Sequence, residues 1–286
     1  MLIIGSHVSF NKDDQLLGSI KEALSYGSNT FMFYTGAPQN TLRYPINKKL
    51  LEETYELMKS NNIIIDNVII HAPYIINLAN KIEESKYKFS INFLIEELHR
   101  CIELGIKHLV IHPGNHMKQG LDIAIKNIVE ALNEVLDATE EVIILLETMS
   151  GKGTEVGSTI EELKRIIDSI NNKSRIGICL DTCHLNDSGY DISDFDKILD
   201  EIDREIGLNY VKCIHINDSK NIIESHKDRH ENIGYGTLGF KNIINIIYNK
   251  RIETIPKILE TPWNNDKAPY KEEIEMIRNK EFKEMK

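Results

Sequence analysis

The stretch Arg175-Ile-Gly-Ile-Cys-Leu-Asp181-Thr-Cys-His184 reads as a strand that delivers an acid and an imidazole to its own end. Ile176, Ile178 and Leu180 are apolar and β-favouring, and Gly177 permits close packing. Asp181 and His184 fall where the strand gives way to a loop. A rigid element that presents a carboxylate and an imidazole together suits a metal site. A single strand end of this kind is equally a strand followed by a capping Asp. The reading gains its force from recurrence along the chain.

Working outward, short apolar runs alternate with helical patterns. Strands are expected at Leu2–Gly5, Thr30–Tyr34, Asn67–Ile70, His108–Ile111, Val142–Leu146, Ile176–Leu180, Val211–Ile214 and Lys257–Leu259. Between them, apolar residues at helical spacing predict helices at about 13–26, 48–60, from the seventies to 104, 121–136, 194–206, 240–248 and 271–278. Ser158-Thr-Ile-Glu161 fits a capping box for a further helix, and Gly27 stands where a glycine ends the first one. No linker or shift of composition divides the chain, so one domain over residues 1–286 is expected. Strands apolar throughout imply a parallel sheet covered on both faces. Eight alternations over this length predict a (β/α)8 barrel, a TIM barrel with its active site at the C-terminal strand ends. An open doubly wound sheet would normally carry a glycine-rich phosphate loop, and no such sequence occurs.

An apolar fraction of 41% supports a large core, and no run of about 18 apolar residues predicts a membrane span. Met1-Leu-Ile-Ile-Gly lacks the basic start of a signal peptide and reads as a first strand, and a cytoplasmic location is expected. Cys101, Cys179, Cys183 and Cys213 form no CxxC pair and read as buried thiols in a reducing compartment. The net charge of −10 counts against nucleic acid at long range, although three bound dications would offset six of those charges.

The strand ends form a series. The first is followed by His7, the third by His71, the fourth by His112 and the fifth by Glu147. The sixth carries Asp181 and His184, the seventh His215 and the eighth Glu260. The loop after the seventh adds Asp228 and His230, whose spacing suits one side of an extended segment. In a barrel these ends converge on one face. Buried charges need compensation, and divalent metals supply it. Imidazole mixed with carboxylate suits zinc, with manganese or iron as alternatives, and so many ligands imply two or three ions. His99, His108, His116 and His226 lie outside this pattern and read as ordinary structural histidines.

His71-Ala-Pro-Tyr, His112-Pro-Gly, Glu147-Thr, Asp181-Thr-Cys-His184, His215-Ile-Asn-Asp-Ser, Asp228-Arg-His230 and Leu259-Glu260-Thr-Pro resemble the endonuclease IV family of apurinic/apyrimidinic endonucleases. The resemblance runs from Gly5-Ser-His-Val-Ser to Glu260-Thr-Pro. It implies three zinc ions per chain. One would be held by His71, His112 and a bridging Glu147, the second by Glu147, Asp181, His215 and Glu260, the third by His184, Asp228 and His230. It implies hydrolysis of double-stranded DNA 5′ to abasic sites and trimming of blocked 3′ ends. The nucleophile would be a metal-bridging hydroxide near Glu147, oriented by Glu260. Tyr74 fits an aromatic wedge at the lesion, and His7, Gln39 and Asn40 are expected DNA contacts. A monomer is the family expectation. Phe10-Asn-Lys-Asp-Asp replaces a stretch where many relatives have glycines, and Thr35-Gly-Ala-Pro-Gln39-Asn40 lacks the arginine that some relatives insert into DNA. Arg43 lies near but does not match that position.

Two other functions fit part of the pattern. A sugar isomerase or epimerase of the xylose-isomerase-like barrel needs only a set such as Glu147, Asp181, His215 and Glu260. A barrel that merely binds nucleic acid would not need so many carboxylates.

Overall fold

The β-branched runs form strands buried on both faces, because each is apolar on the side facing the helices and on the side facing the interior. In the computed structural model, which describes residues 2–285, eight parallel strands close into a barrel. They are β1 (Ile4–His7), β2 (Thr30–Phe33), β3 (Ile69–His71), β4 (His108–Ile111), β5 (Ile143–Glu147), β6 (Ile176–Asp181), β7 (Val211–Ile216) and β8 (Lys257–Leu259). Closure is made by β1 against β8, with Ile4 opposite Lys257 and Ser6 opposite Leu259. The expected (β/α)8 barrel is therefore the observed one.

The helices are α1 (Gln15–Ser25), α2 (Lys48–Ser60), α3 (Glu84–Glu103), α4 (Leu121–Ala138), α5 (Ile160–Ser169), α6 (Thr182–Ser188), α7 (Phe195–Glu205), α8 (Phe240–Ile247) and α9 (Tyr270–Asn279). Their apolar stripes and the outward strand residues, such as Phe31, Leu109, Leu146, Ile178 and Ile214, share one large core. A fully buried Ile or Leu there contributes about 1.5–3 kcal/mol. The inward residues form a separate apolar layer of Met32, Ile69, Val110, Leu145, Cys179, Cys213 and Ile258. All four cysteines are buried and free.

Four expectations are corrected. Helix α3 begins only at Glu84 and not in the seventies, because the preceding residues form turns in which the Asn77 and Asn80 side chains accept the N–H groups of Ala79 and Ile82. The residues after β6 form helix α6 rather than a loop, because the Asp181 side chain caps it by accepting the backbone N–H of His184 at 2.9 Å. The cap of α5 is shifted by one: Thr159 accepts from Glu162 N, while the Glu162 carboxylate takes the N–H groups of Gly157 and Ser158. The Asp228–His230 segment is not extended throughout, since Asp228 has φ +53°. Gly27, by contrast, ends α1 as expected, with φ +76°.

The close packing read at Gly177 is present. A Cβ there would lie 2.9 Å from the Tyr210 carbonyl oxygen and 2.8 Å from Leu145 Cδ2. At Gly5 the clash is worse, 1.8 Å from the Thr30 carbonyl oxygen. Gly177→Ala is expected to lower the unfolding free energy by about 1–3 kcal/mol. Gly5→Ala should cost more, because it breaks the β1–β2 pairing. Urea denaturation of the two variants checks this; two neutral substitutions would refute the packing account.

Candidate metal centre

Period-two alternation places a second inward residue above each member of the apolar layer. Two residues beyond Gly5, Met32, Ile69, Val110, Leu145, Cys179, Cys213 and Ile258 stand His7, Tyr34, His71, His112, Glu147, Asp181, His215 and Glu260. Every strand thus contributes one polar or aromatic group to a single tier at the C-terminal face. Tyr34 was not singled out as a site residue, although alternation from Met32 would have found it. Its ring lies 4.8 Å from that of His7 and 5.2 Å from that of His71.

Three groups of potential ligand atoms form within this tier and the loop above it, each within 4.8 Å: His71, His112 and Glu147; Glu147, Asp181, His215 and Glu260; and Asp181, His184 and His230. Glu147 divides its oxygens between the first two. Its Oε2 lies 3.1 Å from His71 Nε2 and 3.2 Å from His112 Nε2, and its Oε1 lies 3.0 Å from His215 Nδ1. Glu260 Oε2 approaches the same His215 nitrogen at 2.9 Å. Asp228 joins the third group, with Oδ1 3.1 Å from His184 Nε2 and 3.6 Å from His230 Nε2. Asp181 borders both the second and the third group, a sharing that the strand-end reading did not anticipate.

Backbone carbonyls set the histidine tautomers. His71 Nδ1 lies 2.7 Å from the Ala72 oxygen, His184 Nδ1 2.8 Å from that of Thr148, and His230 Nδ1 3.3 Å from that of Glu260. In each ring Nδ1–H donates to a backbone carbonyl and Nε2 faces the carboxylates, so Nε2 is the nitrogen a metal would take in place of a proton. His230 Nε2 is buried without a hydrogen-bond partner. It lies 3.7 Å from Asp181 Oδ2, a gap the size a cation fills. The oxygen and nitrogen donors, their tautomers and this orphaned atom all fit divalent ions. Asn217 is a further residue whose part sequence reading missed. Fully buried, it donates to Asp181 Oδ2 at 2.7 Å and accepts the Glu260 N–H at 3.1 Å, tying the tops of β6, β7 and β8 together.

The electrostatics show what the carboxylates demand. Burial alone would raise the pKa of Glu147 and Glu260, but the His215 imidazole overrides it for both, with His112 adding to the effect at Glu147, and holds them well below the usual range. Burial would lower His184 and His215. The neighbouring carboxylates outweigh it, chiefly Asp181 for His184 and Glu260 with Glu147 for His215, and both rings are pushed well above 6.5. His7, which burial dominates, falls to about 4 and is neutral near pH 7.

Of the expected DNA contacts, His7 lies in the tier, and Tyr74, Gln39 and Asn40 lie on the same face outside it. Tyr74 is half exposed beside His71. Gln39 and Asn40 are exposed on the loop after β2. Arg43 is withdrawn: its Nε donates to Glu97 Oε1 at 2.6 Å and its guanidinium stacks 5.0 Å from the Phe93 ring centre. Trp263, Met117 and Ile222 add exposed apolar surface on the loops after β8, β4 and β7.

A family model described as xylose isomerase-like TIM barrel matches residues 20–280. A protein named Probable endonuclease 4 from Mesoplasma florum is 49% identical, over 98% of this chain and 97% of its own length. Another of that name from Ureaplasma parvum serovar 3 is 52% identical over all of this chain and 96% of its own. The chain belongs to the endonuclease IV family. It is thereby placed among metal-dependent apurinic/apyrimidinic endonucleases. The solved endonuclease IV from Thermus thermophilus shares the fold, with a TM-score of 0.83 at 24% identity, covering 96% of this chain and 97% of that one. A D-tagatose 3-epimerase-like protein shares the barrel at a TM-score of 0.69 and 19% identity, covering 96% and 99%. No described helix is long and apolar enough to cross a membrane.

The shifted groups give the metal-free endonuclease IV chain a defined pH response. His184 and His215 are raised in the folded state, so their stabilisation is complete below pH 6.5 and is lost as pH rises through their folded values. Glu147 and Glu260 are depressed, so theirs is present above pH 4.5 and lost on acidification. The melting temperature of chelated protein is expected to fall as pH rises above 6.5, and zinc should reverse the fall. A flat profile in chelator would contradict this charge arrangement.

Proposed function

We propose that the chain is a DNA-repair endonuclease that hydrolyses the phosphodiester 5′ to an abasic site and trims blocked 3′ ends, using three zinc ions. The observation that carries this reading is the convergence of Glu147, Asp181, Asp228 and Glu260 with five histidines in three adjoining groups. A single-ion sugar epimerase would need only the second group. His71, His112, His184, Asp228 and His230 would have no work there, and one tightly held ion per chain would favour that alternative.

In the proposed assignment His71, His112 and Glu147 hold the first ion, Glu147, Asp181, His215 and Glu260 the second, and His184, Asp228 and His230 the third. When bound, such ions offset phosphate charge as Lewis acids, lower the pKa of water to near neutrality and favour departure of the 3′-oxygen. Manganese or iron are alternatives at individual sites. The residues do the rest. Glu147 spans the first two groups and keeps them in register. Glu260 is the better exposed of the two catalytic carboxylates, with 16% side-chain exposure against 1% for Glu147. It is fixed through its backbone by Asn217, so it can orient the attacking water.

The substrate is double-stranded DNA. An abasic nucleotide has no base to unstack, so drawing it toward the tier costs little. Tyr74 fills the gap left in the duplex, and Gln39 and Asn40 meet the backbone from the β2 loop. His7, neutral and with Nε2 unpartnered, offers one more contact beneath them. Exposed Lys118, Lys227 and Arg229 on the loops of this face form no ion pairs among the described residues and suit phosphates, against the overall charge of −10. A cytoplasmic monomer is part of the proposal.

Glu147→Ala or Glu260→Gln should abolish incision of a synthetic abasic duplex, and wild-type incision should stop in chelator. Retained cleavage by either variant overturns the assigned roles. Tyr74→Ala should weaken binding of the abasic duplex roughly tenfold or more, in line with the ~1–3 kcal/mol of an aromatic–base contact, with zinc content unchanged. Equal affinity at matched salt would remove Tyr74 from the lesion.

A further inference from the structure

Asp187 lies on α6, one turn beyond His184, and its carboxylate is fully buried. Oδ1 accepts from Ser219 Oγ at 2.8 Å and from Asn186 Nδ2 at 2.9 Å. Oδ2 accepts from Asn221 Nδ2 at 2.9 Å and from the backbone N–H of Asp228 at 3.0 Å. Three of these donors belong to the polar segment that follows β7. Around them, the Asp187 carbonyl oxygen accepts from His226 N, and the Asn186 carbonyl oxygen from Glu224 N. Glu224, His226 and Asp228 all adopt positive φ, at +64°, +52° and +53°. Side chains disfavour this region, and such residues persist only where the surroundings over-determine them.

We propose that Asp187 is the positioning residue of the third ion's site, acting on Asp228 through its backbone. This rests on the three-zinc reading above. Asp228 sits on a segment with little regular structure, and the Asp187 contact holds its N–H on the same helix that carries His184. The carboxylate is thereby aimed at His184 Nε2 and His230 Nε2. The four donors around it favour an acid at 187 over an amide. Asn221 Nδ2 and Asp228 N can only donate, so an amide NH2 turned toward Oδ2 would face two donors. Turned toward Oδ1, it would find an acceptor in Ser219 Oγ but would also face Asn186 Nδ2, which donates there and to the Asn221 carbonyl oxygen. An amide at 187 therefore sets at least one donor against another while Asn186 keeps its place.

The test is zinc stoichiometry of the purified holoprotein by elemental analysis across a series of zinc buffers, with melting followed in parallel. Wild type is expected to hold three ions. Asp187→Asn should bind one of them 10–100-fold more weakly and keep the other two. His184→Ala added to Asp187→Asn should remove no further ion, because both changes act on one site. Asn221→Ala, which deletes one bond in a partly exposed segment, should weaken the same ion to a smaller degree. Three ions of wild-type affinity in Asp187→Asn overturn the inference and leave the three-zinc reading standing. If Asp187→Asn does not fold, unchanged zinc affinity in Asn221→Ala overturns it. Fewer than three ions in wild type overturns both.

Discussion

Four carboxylates, Glu147, Asp181, Asp228 and Glu260, share one small volume at the mouth of the barrel, among imidazoles and the Asn217 amide. Lys152 approaches just one oxygen of Asp228, at 4.0 Å. Such a cluster cannot stay charged and buried without positive charge close by. In the metal-free chain, protons on His184 and His215 supply it. Divalent ions would supply it more fully, and the Nδ1 contacts of His71, His184 and His230 already orient those rings with Nε2 toward the site. The barrel beneath provides what this cluster needs, a rigid wall of eight strands that cannot relax to separate the charges.

The same constraint explains the polar residues outside the tier. Asn217 ties Asp181 to the Glu260 backbone, so two acids on different strands keep a fixed separation. Asp218 accepts backbone N–H groups from Ser219, Gly234, Gly236 and Leu238, which folds the end of the β7 segment back on itself and carries His230 over the barrel mouth. Asp187 does the corresponding work for Asp228. Each is a buried acid or amide with its polar atoms satisfied, the condition under which a polar network specifies a single arrangement.

Much of this was legible in the residues. The eight apolar runs, the helical stripes and the series His7, His71, His112, Glu147, Asp181, His184, His215 and Glu260 follow from local periodicity, which needs only neighbouring residues to read. What lay beyond reach were contacts between distant segments. The extended reading of Asp228–His230 failed because Asp187, forty-one residues upstream, imposes a left-handed turn. The residues after β6 passed for a loop because seven residues are too few to show a helical period.

Residue order alone was enough to show that strands and helices alternate eight times and that nearly every strand ends in a group able to bind metal. It also carried the motifs of the family. The tertiary structure alone decided how those groups are divided. Barrel closure and strand stagger brought Glu147 between His112 and His215 and set Asp181 on the border of two groups. The physical reason is that periodicity dictates which way a side chain points. Which side chain it then meets depends on segments dozens of residues away, and that is settled only when the sheet closes.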